Sequence, residues 1–335
     1  LGGYGLEYAC GALTLGMLAS EVFSFLALLL LLLASLPRRE GRCRTPMLPS
    51  LLRITVPLSL SSYARSALST AQHLLVPRGL RLFGGGAQAA LAAYGVIQGM
   101  SLPILLFPAA LIAVIADLIV PELTEAQGRL RGLGYMLERL YRLGLFFSMA
   151  VAGACFFFAH PLGELIYSEP AAGQYIRLLA PLVPIMYMDT LVDGMLKGVG
   201  EYRANMRYNI IDAATGLLLV WLLLPRYGVA GYLFSISATE LLNFALSAAR
   251  LTRVTVFRLQ PVQGLSASAA VGGWWLLRLI FGRLLSRTGQ PLILLLLVFL
   301  YLACYGAALL LCGALRREEL SWLFSLLWGE KSPKT

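Results

Sequence analysis

Seven polar side chains recur every three or four residues within the apolar segment 54–76: Ser59, Ser62, Arg65, Ser66, Ser69, Gln72 and His73. On a helix this spacing places them on one face. Arg65 follows Arg53 by 12 residues, which is about 18 Å along a helix at about 1.5 Å per residue. We therefore expect Arg65, Ser62, Ser69 and Gln72 to line a water-filled cavity, where the guanidinium binds an anionic group such as a diphosphate. The alternative is that Arg65 pairs with a carboxylate only to hold the helix bundle together.

A second charged group lies in residues 187–203, YMDTLVDGMLKGVGEYR, where Asp189, Asp193 and Lys197 share one helical face. Asp193 and Lys197 are spaced for an i,i+4 ion pair with a structural role, and Asp189 is a candidate for the cavity. The D-x-x-x-D spacing is also typical of membrane prenyltransferases that bind diphosphate through magnesium. That chemistry requires a second acidic motif, which we do not find in this sequence.

Two i,i+3 polar pairs occur further along the chain, Asn209 with Asp212 and Glu240 with Asn243. Hydrogen bonding between helices is the expected role of such residues in a membrane, and lining of the cavity is the alternative. We assign Asn209 and Asp212 to the cavity and Glu240 and Asn243 to structure. Glu21 is assigned to structure as well, because ASEVFSFLAL in the first apolar segment aligns without gaps with ATELLNFALS, which contains Glu240.

The amino-acid composition indicates the class of protein to which these side chains belong. Of 335 residues, 59% are apolar and only 13% are charged, whereas soluble domains carry about 25% charged residues. This excludes a soluble enzyme or a nucleic-acid-binding protein. Five scattered cysteines indicate neither a disulfide framework nor a zinc site. We expect no cofactor, no metal and no enzymatic activity, since no hydrolase triad, acyltransferase motif or phosphate-binding loop is present.

The apolar residues form blocks long enough to cross a bilayer as helices. The predicted fold class is an all-α, polytopic membrane helix bundle of about nine spans. The spans are 6–36, 54–76, 91–120, 143–166, 176–196, 208–224, 229–249, 265–285 and 291–315.

The distribution of basic residues predicts the orientation. Alternate loops contain 19 Lys and Arg on one side and 7 on the other. The positive-inside rule then places residue 1 outside and the C-terminus in the cytoplasm. Because the chain begins with Leu1 and the first and seventh spans form a repeat in the same orientation, we expect about five further helices to precede residue 1.

Several stretches resemble a known family. They are residues 54–127, which begin ITVPLSLSSYARSALSTAQ, then GMLKGVGEYRANMRYNIID (194–212) and LLPRYGVAGYLFSISATELL (223–242). They resemble the bacterial stage V sporulation protein B group of the multidrug/oligosaccharidyl-lipid/polysaccharide exporter superfamily. Ala110, Ile112 and Ala113 depart from the small polar residues expected there, which weakens any cavity role for that stretch.

The resemblance implies two six-helix lobes, a terminal helix pair and transport by alternating access. It assigns residues 1–40 to the last helix of an N-terminal lobe, 41–255 to the C-terminal lobe, 256–316 to two extra helices and 317–335 to a cytoplasmic tail. We expect the N-terminal lobe to be needed for function, so that the chain alone transports nothing. The implied location is the bacterial cell membrane.

The leading functional hypothesis is a flippase that exports a lipid-linked saccharide, such as a peptidoglycan or polysaccharide precursor. The alternative is a multidrug exporter in which Asp189, Asp212 or Glu240 hold cationic substrates and exchange them for protons or sodium. A prenyltransferase-type enzyme and a scaffold without transport are weaker hypotheses. Expected partners are membrane lipids, the anionic lipid-linked saccharide and a proton or sodium ion, and no nucleic acid. An unpaired Arg65 would favour the flippase, and clustered carboxylates would favour the drug exporter.

Overall fold

The described residues of the computed structural model are 6–35, 47–83, 86–126, 130–255, 268–275, 279 and 290–311. Within these ranges the chain is helical and contains no strand, so the predicted all-α fold is confirmed. Two compact units divide the chain, Leu1–Thr55 and Val56–Thr335. The predicted tail, 317–335, lies outside the described residues.

Twelve α-helices follow one another in the described ranges, with one π-helical and one 3₁₀ turn between them. They are α1 (Leu6–Ser35), α2 (Met47–Leu82), α3 (Ala87–Val96), the π turn (Ile97–Ser101), α4 (Leu102–Leu106), α5 (Ala109–Ala126), α6 (Leu130–Phe157), α7 (Ala159–Tyr167), α8 (Pro170–Leu179), the 3₁₀ turn (Ala180–Leu182), α9 (Val183–Gly198), α10 (Tyr202–Val254), α11 (268–275) and α12 (Pro291–Leu311).

Six segments of the described chain are long and apolar enough to cross a membrane, which confirms a multi-pass membrane protein. They are Thr14–Ala34, Ala87–Leu106, Gly132–Phe157, Pro170–Gly198, Tyr202–Val254 and Pro291–Leu311. The second predicted span lies in α2, a helix of 36 residues whose polar stripe lowers its hydropathy below that of the six. Of the eighth predicted span, 265–285, only 268–275 and 279 are described.

Helix α10 is a hairpin of two helical limbs, 202–227 and 229–254, rather than one straight rod. Gly228 separates them with φ 56° and ψ −130°, a conformation that L side chains rarely adopt. The limbs lie side by side, because a Cβ atom on Gly216 would be 3.4 Å from Thr239 Cγ2 and one on Gly231 would be 2.8 Å from the Leu223 carbonyl oxygen. The two limbs contain the sixth and seventh predicted spans.

Several predicted spans have different boundaries in the structure; span 176–196, for example, covers the end of α8, the 3₁₀ turn and most of α9. Span 91–120 is broken by the π turn and again at Phe107 and Pro108, where α4 ends and α5 begins. Proline has no backbone N–H to continue the hydrogen-bond ladder, so the long apolar run forms four short pieces. Span 143–166 corresponds to α6, which begins 13 residues earlier, and to the separate helix α7. Charged residues at the start of α6 concealed its length from a search for apolar runs.

Helix α9 lies at the centre of the main core. Its Tyr187 is fully buried, donates a 2.6 Å hydrogen bond to the Leu105 carbonyl oxygen and stacks on Phe147 of α6. Ile112 of α5 is 2% exposed and belongs to the same core. The expected weakness of a cavity role around Ile112 agrees with this burial.

Small residues let α9 approach α5 closely. A Cβ atom on Gly194 would be 2.7 Å from Ala116 Cβ, and one on Gly198 would be 2.8 Å from Leu123 Cβ. Gly194 and Gly198 form a G-x-x-x-G motif, the small-xxx-small pattern of close helix pairs in membranes. The face of α9 that turns away from α5 is then available to α10.

Helix α12 and the segment α11 pack on α6. Tyr305 of α12 donates a 2.9 Å hydrogen bond to the Phe146 carbonyl oxygen. Trp274 of α11 stacks on Phe157 with ring centroids 4.4 Å apart. These contacts attach the last predicted spans to the α6 side of the bundle.

Candidate functional site

The carboxylates of α9 meet polar side chains from both limbs of α10. Asp189 Oδ2 accepts a 2.8 Å hydrogen bond from Asn243 Nδ2. Asp193 Oδ2 accepts from Asn209 Nδ2 at 3.0 Å, and Asp193 Oδ1 accepts from Ser247 Oγ at 3.1 Å. One turn of α9 therefore joins the two limbs of the hairpin through three hydrogen bonds.

These contacts confirm that Asn209 and Asn243 form hydrogen bonds between helices. They correct the expected i,i+4 ion pair, because Asp193 and Lys197 form no salt bridge in the described part of the chain. The physical reason is that donors from both limbs of α10 already occupy the Asp193 carboxylate. The Lys197 side chain is half-buried near the end of α9 and stays separate from Asp193.

Four carboxyl groups gather in this region and are called the acidic cluster: Asp189, Asp193, Asp212 and Glu240. Asp189 interacts electrostatically with the other three. Buried oxygen atoms of the cluster and of Asn243 are left without hydrogen-bond partners among the described residues, namely Asp189 Oδ1, Asp212 Oδ1 and Asn243 Oδ1. Charged groups within a membrane are costly unless balanced, so the cluster is suited to a cation or to protons.

The polar stripe of α2 carries Arg65, the positively charged residue that the sequence predicts in the cavity. Arg65 interacts electrostatically with Asp212 and Glu240. It forms no ion pair with a carboxylate in the described ranges, and its side chain is exposed. The structure therefore shows both the unpaired Arg65 expected of a flippase and the clustered carboxylates expected of a drug exporter.

The other α2 candidates differ in their surroundings. Ser62 is exposed, whereas Ser69 and Gln72 are half-buried. Gln72 Oε1 lies 3.1 Å from the position that a Cβ atom on Gly216 would occupy, which places it against the first limb of α10. Glu21 lies on α1, is exposed and belongs to the other compact unit.

Two participants near Asp193 were missed by sequence reasoning. Asn205 accepts a hydrogen bond from Asn209 through both its carbonyl oxygen and its Oδ1, and Ser247 reaches Asp193 directly. A signal was present, since Asn205 precedes Asn209 by four residues and Ser247 follows Asn243 by four, which places each on the same helical face.

A second polar network connects α2, α3, the π turn and α10. His73 Nδ1 lies 3.3 Å from the Tyr94 hydroxyl, and Tyr232 donates a 2.9 Å hydrogen bond to Gln98 Oε1. Tyr94 and Tyr232 also pack edge to face. Spacing could not have revealed this network, because its members come from three distant parts of the chain.

An almost entirely apolar groove of about 580 Å³ opens between α4, α5, α6, α7 and α12. Phe107, Leu111 and Phe147 line one part of it, and Val298 and Leu302 of α12 line another. Its volume and lining are suited to a hydrocarbon chain rather than to a polar ligand.

We predict that Asp193 and Asn209 are energetically coupled. Replacing each with Ala, singly and together, should give a coupling free energy of about 0.6 to 1.7 kcal/mol, the range for hydrogen bonds between membrane helices. The measurement is reversible unfolding of the purified chain in mixed detergent micelles. The matched control pairs Asp193→Ala with Ser237→Ala, because Ser237 bonds only within its own helix, to Leu233, and additive effects are expected there. A coupling of zero for Asp193 and Asn209 would show that their contact does not stabilise the fold.

The fold and the site together describe a multi-pass helical membrane protein that carries a polar stripe with Arg65 and an acidic cluster on its helices. The MatE family model matches residues 81–222.

The chain is also similar to two curated proteins and to one solved structure. The chain is 25% identical over 265 residues to "Stage V sporulation protein B" of Bacillus subtilis (strain 168), covering 75% of this chain and 51% of that protein. It is 24% identical over 176 residues to "Sporulation protein YkvU" of the same organism, covering 52% and 39%. A solved structure, "Lipid II flippase MurJ, inward closed conformation", superposes with a TM-score of 0.59 at 12% identity, over 82% of this chain and 57% of that one.

These findings agree with the predicted resemblance: the chain is similar to the MatE family over residues 81–222 and to two sporulation proteins of Bacillus subtilis, and it shares its fold with the solved flippase. The chain spans about half the length of the curated relatives it matches.

Proposed function

We propose that this chain is part of a flippase that moves an anionic lipid-linked saccharide across the bacterial cell membrane by alternating access. Residues 41–255 act as one lobe in this proposal, with residue 1 outside and the C-terminus in the cytoplasm. The name of the structural neighbour, a lipid II flippase, supports the substrate class.

The proposal rests on one observation, that Arg65 forms no ion pair in the described part of the chain. A guanidinium on a membrane-spanning segment is costly unless it meets an anion or a water-filled cavity. Arg65 has neighbouring carboxylates at longer range but no ion pair in the described part of the chain. Its planar fork of donors matches the oxygens of a phosphate or diphosphate group. Ser62, Ser69 and Gln72 on the same stripe would add hydrogen bonds to the neighbouring sugar or phosphate.

Two further features fit the same function. The apolar groove beside α6 and α12 suits the hydrocarbon part of a lipid-linked substrate. The acidic cluster, with its unpartnered Asp189 and Asp212 oxygens, would hold a proton or sodium ion whose binding is coupled to the conformational cycle. Membrane lipids are the remaining partner of this proposal.

A second candidate function is favoured by the acidic cluster itself. In a cation-coupled multidrug exporter, Asp189, Asp212 or Glu240 would bind lipophilic cations directly. The four carboxyl groups of the cluster outnumber the one guanidinium of Arg65, and this is the observation on which that alternative depends.

Ligand selection distinguishes the two candidates. The full chain in phosphatidylcholine nanodiscs is titrated with fluorescent undecaprenyl diphosphate, with the uncharged undecaprenol and with ethidium. The flippase proposal predicts that the diphosphate lipid binds at least about tenfold more tightly than undecaprenol, because charge-assisted hydrogen bonds form only with the diphosphate. Tight binding of ethidium with no preference for the diphosphate would favour the drug exporter and contradict the flippase.

A further inference from the structure

A basic cavity lies at the end of α10, and none of its lining residues belongs to the acidic cluster or to the α2 stripe. Its volume is about 300 Å³, and it is lined by Glu201, Arg203, Ala204, Arg207, Tyr208 and Arg250. The first limb of α10 begins at this end and the second limb finishes there, so the cavity spans the open end of the hairpin. Nothing in the proposed transport cycle uses it.

One of its three arginines is fixed by an ion pair. Arg250 Nη2 lies 2.9 Å from Glu201 Oε1 and 3.0 Å from Oε2, and Arg250 Nε donates to Oε2 at 3.2 Å. This forked contact joins the two limbs and sets the direction of the guanidinium. The pair neutralises Glu201, so the other two arginines of the cavity have no acidic counterpart within it.

Arg203 and Arg207 supply that uncompensated charge. They are one turn apart on the first limb, so both face the cavity from the same side. Both side chains are exposed, and neither forms an ion pair in the described ranges. Like charges at this spacing repel each other, and a bound anion would relieve that repulsion.

The length of the α10 limbs indicates that the cavity lies at the level of the lipid headgroups. Each limb has about 26 residues and is therefore about 39 Å long at about 1.5 Å per residue, whereas the hydrocarbon core is about 30 Å thick. The ends of the limbs must reach the level of the lipid headgroups. Basic pockets between helices at that level bind anionic lipid headgroups.

We propose that this cavity binds the phosphate group of an anionic membrane lipid. Arg203 and Arg207 hold the phosphate oxygens in this proposal, and Tyr208, which lines the same cavity, donates a further hydrogen bond. Arg250, held by Glu201, contributes from the second limb. A bound headgroup would bridge both limbs of α10 and so stiffen the hairpin that also carries Asn209 and Ser247.

The test uses the full chain in detergent micelles and native mass spectrometry. Phosphatidylglycerol and the zwitterionic phosphatidylcholine are titrated into the unaltered chain and into the double variant Arg203→Gln/Arg207→Gln. We expect the double variant to bind phosphatidylglycerol at least about tenfold more weakly, and phosphatidylcholine unchanged, because each arginine near a phosphate contributes separately to binding. Both positions are exposed, and circular dichroism of the double variant checks that it is folded.

Two controls make the result specific. Arg78→Gln/Arg81→Gln removes the same charge from two exposed positions on α2 and should keep phosphatidylglycerol affinity within about twofold. Equal losses in both double variants, or none in either, would overturn the proposal. The flippase proposal is tested separately, by binding of undecaprenyl diphosphate to Arg65→Gln, so failure of one proposal can be told apart from failure of the other.

Inorganic pyrophosphate separates a lipid headgroup from a soluble phosphate compound. In the unaltered chain, millimolar pyrophosphate should displace phosphatidylglycerol, because both present phosphate oxygens to the same arginines. Binding of pyrophosphate without any binding of phosphatidylglycerol would overturn the assignment to a lipid.

Discussion

Replacing Arg65 with Gln is expected to lower the affinity of the chain for undecaprenyl diphosphate by about tenfold to one hundredfold. Hydrogen bonds to charged groups contribute about 1.5 to 3 kcal/mol, and Gln keeps the polarity and approximate length of the side chain but not its charge or its fork of donors. The measurement is titration of the fluorescent lipid into the variant in phosphatidylcholine nanodiscs. Affinity for undecaprenol should not change, because the lost interaction involves only the diphosphate.

Two variants show whether the charge or the fork of Arg65 is responsible. Arg65→Lys retains the positive charge but loses bidentate geometry, and it should recover only part of the affinity. Arg78→Gln removes a charge from an exposed position on the same helix and should bind like the unaltered chain. If Arg65→Gln also binds normally, the guanidinium has no role in substrate binding, and the acidic cluster becomes the better candidate for the site.

Replacing Gly194 with Leu is expected to destabilise the fold strongly, by about 3 kcal/mol. A side chain at this position meets Ala116 of α5 at once, with Cβ only 2.7 Å from Ala116 Cβ and 3.0 Å from its carbonyl oxygen. The backbone of α5 cannot move aside as a flexible side chain could, so α9 must separate from it. Because the carboxylates of α9 hold both limbs of α10, the damage should spread to the acidic cluster.

The thermal midpoint in detergent should therefore fall by about 5 to 10 °C. Gly95→Leu is the matched control, since a Cβ atom on Gly95 has nothing within 4 Å and leucine favours the helix more than glycine does. That control should unfold at the temperature of the unaltered chain or slightly above it. A Gly194→Leu variant as stable as the control would mean that α5 and α9 do not approach closely through this glycine.

The sequence could predict much of the architecture because apolar patterning is a local property. A block of about 20 apolar residues must form a helix in a bilayer, whatever its neighbours are, since no water is present to satisfy the backbone. The errors in the predicted span boundaries also have local causes. Span 91–120 looked continuous because Pro103 and Pro108 interrupt the hydrogen-bond ladder without interrupting the apolar run, and α6 looked short because its first turns carry charge.

For the candidate site, the sequence determined which side chains are polar and which face of each helix they share. Arg65 with Ser62, and Asp189 with Asp193, were assigned in this way, and the membrane class followed from composition. Only the tertiary structure decided the partners. Asp193 could pair with Lys197 by helical spacing, yet it accepts hydrogen bonds from Asn209 and Ser247, because Gly228 folds α10 back and brings both limbs against α9. Helical spacing fixes neighbours within one helix, whereas contacts between residues 16 or 54 positions apart depend on how the helices turn and pack, which here requires the turn of α10 at Gly228.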